Sequence, residues 1–169
     1  DRAKAGPKNG AQSTATIAID PLGAVTVKVA SVPQGQGHRT VLAQVVADEL
    51  GVPFESVRVL ADVDTMRDAW SIASGNYASR FAPAVTGAAK IAAQRLRAKL
   101  ARVAAQQLNL TAEDVAFRNG RVVDSGNPDN SVSFARVAAA AHWAPGTLPD
   151  GVDQTIRETV FWTPDQLQA

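Results

Sequence analysis

Two short segments of the sequence combine residue types that bind anions. The first is Gly35-Gln36-Gly37, which follows a run of alternating valines and precedes a helical pattern. Glycines at such a junction let backbone N–H groups approach an anion, and the helix dipole favours negative charge there. Gln36 adds two amide donors and one acceptor, which suit a heterocycle or an oxo group. Gly35 and Gly37 are therefore predicted phosphate contacts, and a purely structural strand-to-helix turn is the alternative.

The second segment, 74–81, also stands directly before a predicted helix. It reads SGNYASRF, so small residues, a hydroxyl and a guanidinium precede the first helical N–H groups. This combination is typical of an anion site. Two such loops that face each other could hold a pyrophosphate. The alternative is that Ser79 only caps the helix and that Arg80 is an ordinary surface side chain.

The remaining candidates for chemistry are weaker. His38 and His142 have no nearby residue in a catalytic-triad spacing, so an ordinary role is favoured for both. Asp62, Asp64 and Asp68 cluster in one predicted loop, where a solvated acidic surface is favoured over an acid–base pair. The chain contains no Cys, which excludes disulfides, thiolate zinc sites and iron–sulfur clusters held by its own residues.

Composition narrows the class of protein further. The 169 residues can form one domain with a sizeable core. Because 32 Ala and 20 Val outnumber the 20 Leu, Ile and Phe residues, small side chains and closely packed backbones are expected in that core. A net charge of +1 gives no field that would attract nucleic acid or an anionic membrane. No apolar run reaches the roughly 18 residues of a membrane helix, and we expect a soluble, cytoplasmic domain.

The elements that position the two segments are predicted from the hydrophobic pattern. Apolar residues alternate with other residues on both sides of a turn that contains Pro and Gly. This pattern predicts a β-hairpin over residues 14–29, directly before the Gly-x-Gly segment. Apolar residues then recur at helical spacing and predict a helix that ends at Gly51. A strand near 57–61 and a long polar loop over 62–77 follow, and the second segment lies at the end of that loop.

A long Ala-rich helix is predicted to begin near Pro83. Its apolar stripe is formed by Val85, Ala89, Ala92, Leu96, Leu100, Val103 and Gln107. On the opposite side, Lys90, Gln94 and Arg97 are expected to form a solvated face. An Asn-Gly turn predicts a hairpin over 115–123, and Ser133 is positioned to cap a last helix that runs through Ala141.

One pattern occurs twice. Residues 49–59 and 107–117 each combine a helix end, a Gly or Asn suited to a left-handed cap, a single turn and a strand. The favoured explanation is that the same local type of helix-to-strand connection occurs twice, and not that the sequence is an internal duplication. Together the elements predict an α+β fold in which a mixed β-sheet packs against helices.

Residues 33–40, PQGQGHRT, followed by Ala43-Gln44, resemble a motif of molybdenum-cofactor-binding large subunits. These subunits belong to the xanthine dehydrogenase, aldehyde oxidase and carbon monoxide dehydrogenase family. The similarity continues through 62–65 and 75–80 and spans roughly residues 6–162. Two motifs in this order are far more specific than either alone.

The resemblance implies which residues bind the cofactor. It implies that Gly35, Gln36 and Gly37 contact a molybdopterin with molybdenum, often in its cytosine dinucleotide form in bacteria. A second cofactor contact would be lined by Ala78, Ser79 and Arg80. Phe81 departs from the pattern, because the family commonly has Ser or Thr there.

The resemblance also implies an activity for the complete enzyme. Family members hydroxylate a C–H of an aldehyde or N-heterocycle with water as oxygen source, or oxidise carbon monoxide. The Gly-x-Gly-Glu segment that carries the family's base has no counterpart in this sequence, so the chain is not expected to be catalytic alone. Expected partners are the remainder of the large subunit, an iron–sulfur subunit or domain, and an FAD subunit or domain. A non-catalytic α+β binding or assembly domain with a structural Gly-rich turn is the alternative.

The expected organisation has three parts. Residues 1–13 form a flexible lead-in, and 14–143 form the molybdopterin-binding α+β segment. Residues 144–169 form a loop and a strand that are expected to continue into a larger protein.

Overall fold

The computed structural model describes residues 12–64, 66, 75–76 and 79–163 of the chain. The helices of this part are α1 (His38–Leu50), α2 (Thr86–Leu108) and α3 (Phe134–Trp143). Its strands are β1 (Ser13–Ile19), β2 (Val25–Val29), β3 (Val57–Leu60), β4 (Val115–Arg118), β5 (Arg121–Asp124), β6 (Ser131–Ser133) and β7 (Arg157–Trp162). Of the expected lead-in, residues 1–11 lie outside the described residues.

A four-stranded mixed sheet forms the centre of the fold. Its strand order is β3-β2-β1-β7, in which β1 runs antiparallel to β2 and β7, and β2 runs parallel to β3. The alternating apolar residues of β1 and β2 are all buried on one face, with Ile17 opposite Val27. The predicted hairpin and mixed sheet are therefore confirmed.

The turn of this hairpin is held by Asp20. Its Oδ1 accepts hydrogen bonds from the backbone N–H groups of Leu22 and Ala24, each at 2.9 Å. Gly23 has φ +86°, and a Cβ there would lie 2.9 Å from the Cα of Ala135 in α3. Glycine is thus required both by conformation and by the close approach of the helix.

Helices α1 and α2 cover the buried face of the sheet. The core contains many alanines of α2, and Ala88, Ala89, Ala92 and Ala93 are all fully buried. Because a methyl group is the whole side chain, the backbones of helix and sheet approach closely. The expectation of a small-residue core is confirmed.

The long Ala-rich helix has Pro83 in its first turn, as predicted. A π-helical turn over Phe81–Val85 leads directly into α2, so the continuous helix spans 28 residues. Pro83 lies inside that first turn, where its missing N–H costs no intrahelical hydrogen bond. The apolar stripe is buried as predicted up to Val103, but Gln107 is exposed and does not belong to it.

The polar side of α2 meets the end of α1 at Glu49. Lys90 Nζ lies 3.3 Å from Glu49 Oε1, and the Gln94 amide donates to the same oxygen at 3.5 Å. Arg97 donates to the Glu49 backbone carbonyl at 3.2 Å. Lys90 and Gln94 are exposed, as predicted for a solvated face. An ion pair in such a position contributes little to stability.

A second, antiparallel sheet of order β4-β5-β6 packs against α2. The sequence predicted its β4–β5 hairpin but neither its third strand nor a sheet separate from the first. Asn119 and Gly120 have φ +50° and +73°, which is the primed turn expected for the β4–β5 hairpin. Ser133 Oγ accepts from the Arg136 N–H at 3.2 Å and caps α3 as predicted.

The repeated pattern gives two similar crossovers. Gly51 and Asn109 both cap a helix in the left-handed region, with φ +63° and +57°, and each is followed by a single 3₁₀ turn and a strand. The first crossover leads into β3 of the large sheet and the second into β4 of the small sheet. The Gly120 N–H donates to the Gly51 carbonyl at 2.7 Å, so the first crossover contacts the turn between β4 and β5.

Candidate functional site

The Gly-x-Gly segment lies in the loop between β2 and α1. Gly35 has φ +97° and Gly37 has φ +72°, values that favour glycine. A Cβ built on either residue meets no atom of the described residues within 4 Å, and both residues are exposed. In this part of the chain, space is open beside the loop backbone, and conformation, not crowding, requires the glycines.

The loop ends at the N-terminus of α1. Gly37 is the N-cap residue, and as a glycine it has no side chain to cap this helix end. The first bond of the helix runs from the Val41 N–H to the Gly37 carbonyl at 3.0 Å. The N–H groups of the preceding turn carry the positive end of the helix dipole. This helix end is suited to an anion.

The side chain of Gln36 folds back onto its own loop. Its Oε1 accepts a hydrogen bond from the Gln34 N–H at 2.6 Å. The carbonyl end of the amide is therefore used within the loop. The side chain is exposed, and its amide N–H groups can donate hydrogen bonds to a ligand outside the loop.

Asn76 joins the second segment to the first. Its Oδ1 accepts a hydrogen bond from Ser31 Oγ at 2.9 Å and lies 3.0 Å from His38 Nε2. Its Nδ2 donates to the Val32 carbonyl at 2.5 Å. All three partners belong to the β2–α1 loop or to the first residue of α1. The two predicted anion loops thus meet, although about 40 residues of sequence separate them.

His38 lies on the buried side of this junction. It is fully buried, and its ring stacks on Phe81 with centroids 3.7 Å apart at an interplanar angle of 22°. Its Nε2 also lies 3.1 Å from Ser31 Oγ, whereas Nδ1 is buried and has no hydrogen-bond partner among the described residues. Burial lowers the pKa of His38 from its ordinary value, and the hydrogen bond to Asn76 opposes that shift.

Arg80 and Ser79 form the other end of the second segment. Arg80 is buried and donates to the backbone carbonyls of Gly75, at 3.3 Å, and of Gln12. Ser79 is exposed and has φ +55°, an uncommon conformation for a residue with a side chain. The N-cap of the following helical turn is Arg80, without a side-chain hydrogen bond, so Ser79 is not a helix cap.

A family model for the molybdopterin cofactor-binding domain matches residues 2–169 of this sequence. The chain belongs to that family. The resemblance identified from the two motifs is thereby confirmed, and so is the α+β fold of this cofactor-binding domain.

Curated relatives place the domain within larger proteins. The chain is 39% identical over 149 residues to the large subunit of nicotine 6-hydroxylase from Paenarthrobacter nicotinovorans, covering 88% of this chain and 18% of that protein. It is 30% identical over 148 residues to the carbon monoxide dehydrogenase large chain of Hydrogenophaga pseudoflava, with the same two coverages. The domain thus spans about a fifth of the length of these relatives.

A solved structure shows the same architecture. Quinoline 2-oxidoreductase from Pseudomonas putida 86 matches with a TM-score of 0.82 at 36% sequence identity. The match covers 91% of this chain and 19% of the other. The fold of the cofactor-binding domain is therefore shared with a segment of that enzyme.

The structure brings the predicted residues of the domain together in two adjoining loops. One loop contains Gly35, Gln36 and Gly37, and the other contains Ser79 and Arg80. Ala78 lies outside the described residues. Their contact with a cofactor stays a prediction.

Sequence reasoning missed Ser31, Asn76 and the inward position of His38. Each is a single polar residue in or beside a loop, and no periodicity relates one to the others. The one available signal was Asn76 itself, which stands within the second motif but was not singled out.

The acidic loop and His142 lie in other surroundings. Asp62 Oδ2 pairs with Lys28 Nζ at 3.3 Å, and Asp64 Oδ1 accepts from the Met66 N–H at 3.0 Å. Both aspartates line a groove on the sheet face opposite the helices, and Asp68 lies outside the described residues. His142 is exposed, with Nε2 3.1 Å from the Ile19 carbonyl.

Proposed function

We propose that this chain is the molybdopterin-binding segment of a molybdenum hydroxylase and that it is not catalytic alone. The complete enzyme would hydroxylate a C–H with water as the oxygen source. Two of the similar proteins are named for nicotine and quinoline, both of which are N-heterocycles. Of the substrate classes that the motifs leave open, these names favour an N-heterocycle over an aldehyde.

The observation that carries this proposal is the junction at Asn76. A dinucleotide form of molybdopterin contains a diphosphate, and a diphosphate needs donors from more than one direction. Asn76 brings the Gly-x-Gly loop and the second loop into contact, as a shared diphosphate site requires. The open space beside Gly35 and Gly37 and the uncapped end of α1 fit such a group.

Each proposed contact has a distinct part. Gly35 and Gly37 would offer backbone N–H groups to phosphate oxygens, and Gln36 would donate from its amide nitrogen. Ser79 would donate from its exposed hydroxyl. Arg80 donates to two backbone carbonyls, so its part is to fix the second loop and to add positive charge behind it. Ala78 would complete the second contact.

The bound cofactor would supply the oxidation–reduction chemistry through its molybdenum. The residues of this chain bind and orient its diphosphate. Among the described residues, no group of three or more His, Cys, Asp and Glu side chains could hold a metal ion.

We propose the cytosine dinucleotide form of the cofactor and three partners. The partners are the remainder of a large subunit, an iron–sulfur subunit or domain and an FAD subunit or domain. In support, similar proteins are named as large subunits and are about five times longer than this chain. No helix in the described part of the chain is long and apolar enough to span a membrane. We propose a cytoplasmic location.

The test uses the complete large subunit that carries this chain, expressed with its partner subunits. Molybdenum is measured by mass spectrometry, and the nucleotide released from the pterin is identified by chromatography. Gln36→Ala and Gly37→Val are expected to lower both contents several-fold. Gly151→Val is the matched control, because Gly151 is also exposed and has φ +71° against +72° for Gly37.

Two results would overturn the proposal. If Gln36→Ala and Gly37→Val retain cofactor at the level of the unmodified enzyme, the Gly-rich turn is structural. If the unmodified enzyme contains no molybdopterin, the assignment of function is wrong. Release of a nucleotide other than cytidine monophosphate would overturn only the cytosine form.

A further inference from the structure

The junction of the two loops contains a buried polar group that the proposed cofactor contacts do not use. Ser31 and His38 are two of the few polar residues buried in the described part of the chain. Buried polar side chains cost stability unless they are hydrogen-bonded, so these bonds must be made on folding. The loops therefore adopt the joined arrangement when the domain folds.

The chemistry of Asn76 fixes the direction of each bond. Its Nδ2 faces the Val32 carbonyl, which can only accept, so its Oδ1 is the atom that faces Ser31 and His38. An amide oxygen also only accepts. His38 therefore carries its hydrogen on Nε2, and Nδ1 of the neutral ring is bare.

The other face of His38 connects two helices. His38 is the first residue of α1, and Phe81 is the first residue of the helical turn that leads into α2. Their rings stack at 3.7 Å, so the N-terminal ends of both helices are held against each other. Both helix ends carry partial positive charge. Side by side, they would present that charge to one ligand.

We propose that His38 is a positioning residue, which holds these two helix ends together through Asn76 and Phe81 without touching the cofactor. The inference rests on the proposed function, because His38 can affect the release of the cofactor only if these loops bind it. The Nε2 donor provides the link to Asn76, and the ring face provides the link to Phe81. Loss of the donor would let the loops separate and would speed release of the cofactor.

Two substitutions separate the donor from the ring. His38→Phe keeps a ring that can stack on Phe81 but cannot donate, and His38→Gln keeps an N–H donor at similar reach. The release rate of the pterin is measured in the complete enzyme after dilution and gel filtration. Release is expected to be about ten-fold faster in His38→Phe, and His38→Gln is expected to restore most of the difference.

A control and a second variant keep the result interpretable. Val132→Ala removes buried apolar volume from β6, in the other sheet, and is expected to lower the melting temperature without faster release. If His38→Phe fails to fold, Asn76→Ala removes the same bonds from the partly exposed partner. Hydrogen exchange of the first-turn amides in α1 and of Phe81–Val85 gives a second readout, and faster exchange is expected in His38→Phe.

The inference is overturned if His38→Phe or Asn76→Ala releases the pterin at the unmodified rate. It is also overturned if Val132→Ala speeds release of the pterin as much as His38→Phe does when the two variants have the same melting temperature. Absence of pterin from the unmodified enzyme contradicts the proposed function instead. In that case unchanged hydrogen exchange in His38→Phe would separately contradict the link between the helix ends.

Discussion

Gly87 in the first turn of α2 lies directly against the indole of Trp162 at the end of β7. A Cβ built on Gly87 would fall 1.9 Å from Cζ3 of that ring, far inside van der Waals contact. The last strand of the large sheet thus fixes the start of the long helix. That start adjoins the turn at Phe81, which forms one side of the candidate site.

Gly87→Ala is expected to destabilise the domain by about 1–3 kcal/mol, because the added methyl group forces the indole or the helix to move. Alanine normally favours a helix over glycine, so the predicted sign is opposite to that of intrinsic propensity. Urea unfolding measures the effect. Gly126→Ala is the control, since its Cβ would meet only Asp124 Oδ1 at 3.5 Å. A Gly87→Ala protein as stable as this control would contradict the packing.

Gly51→Ala is expected to be among the most damaging single methyl additions. Gly51 has φ +63°, and its Cβ would lie 2.5 Å from the backbone carbonyl of Phe117. Strain and overlap together are expected to cost about 3 kcal/mol or more in the free energy of unfolding. Gly120→Ala has a similar φ, +73°, but its Cβ would make only an ordinary van der Waals contact, 3.4 Å from Pro53 Cδ, and about 1 kcal/mol is expected there. Equal losses in the free energy of unfolding of the two variants would contradict this prediction, because they would show that the structure relieves the overlap at Gly51.

The pH dependence of stability is predicted to contain a contribution from His38. Burial lowers its pKa below the ordinary value of 6.5, so the unfolded chain takes up the proton first as the pH falls. This contribution is complete above pH 6.5 and is lost as the pH falls towards the folded-state pKa. The other ionisable side chain buried in the described part of the chain is the cation Arg80.

Urea unfolding between neutral and mildly acidic pH measures this effect. The unmodified domain is expected to lose stability relative to His38→Gln as the pH falls below 6.5. Above that pH, the difference between the two proteins should be constant. If the unmodified domain does not lose stability relative to His38→Gln on acidification, or if the imidazole titrates above 6.5, the buried neutral ring is contradicted.

Glu49→Ala is expected to change the free energy of unfolding by no more than about 0.5 kcal/mol. The carboxylate contacts Lys90, whose side chain is 54% exposed, and surface pairs of this kind contribute little. Arg97 donates to the backbone carbonyl of Glu49, and the substitution leaves that bond in place. Thermal unfolding at low and high salt provides the measurement. A loss above 1 kcal/mol that disappears in salt would show that the pair matters more than its exposure suggests.

The elements were predictable because their signals are local. The alternation of apolar residues along 14–29 and their helical spacing up to Gly51 each depend on residues a few positions apart. Pro83 likewise marked the first turn of the long helix. The stacking of Phe81, in that turn, on the ring of His38 was not predictable, because the two residues are far apart in the sequence. The pairing of β6 with β5 likewise depends on tertiary contacts.

The candidate site was predictable only in part. The glycines and Ser79 could be chosen from residue type and from their position before a helix. The link between the loops could not, because Asn76 lies 44 positions from Val32 and 45 from Ser31. Nothing in the local pattern relates such residues, and only folding brings them together.

A structure of the complete enzyme with its cofactor bound would test the proposed site. We expect the diphosphate to lie between the two loops, within hydrogen-bonding distance of backbone N–H groups at Gly35–Gly37 and of Ser79. His38 should lie behind the loops, on Asn76 and Phe81, without contact to the cofactor. A diphosphate bound by only one loop, or bound on another face of the domain, would contradict a site shared by the two loops.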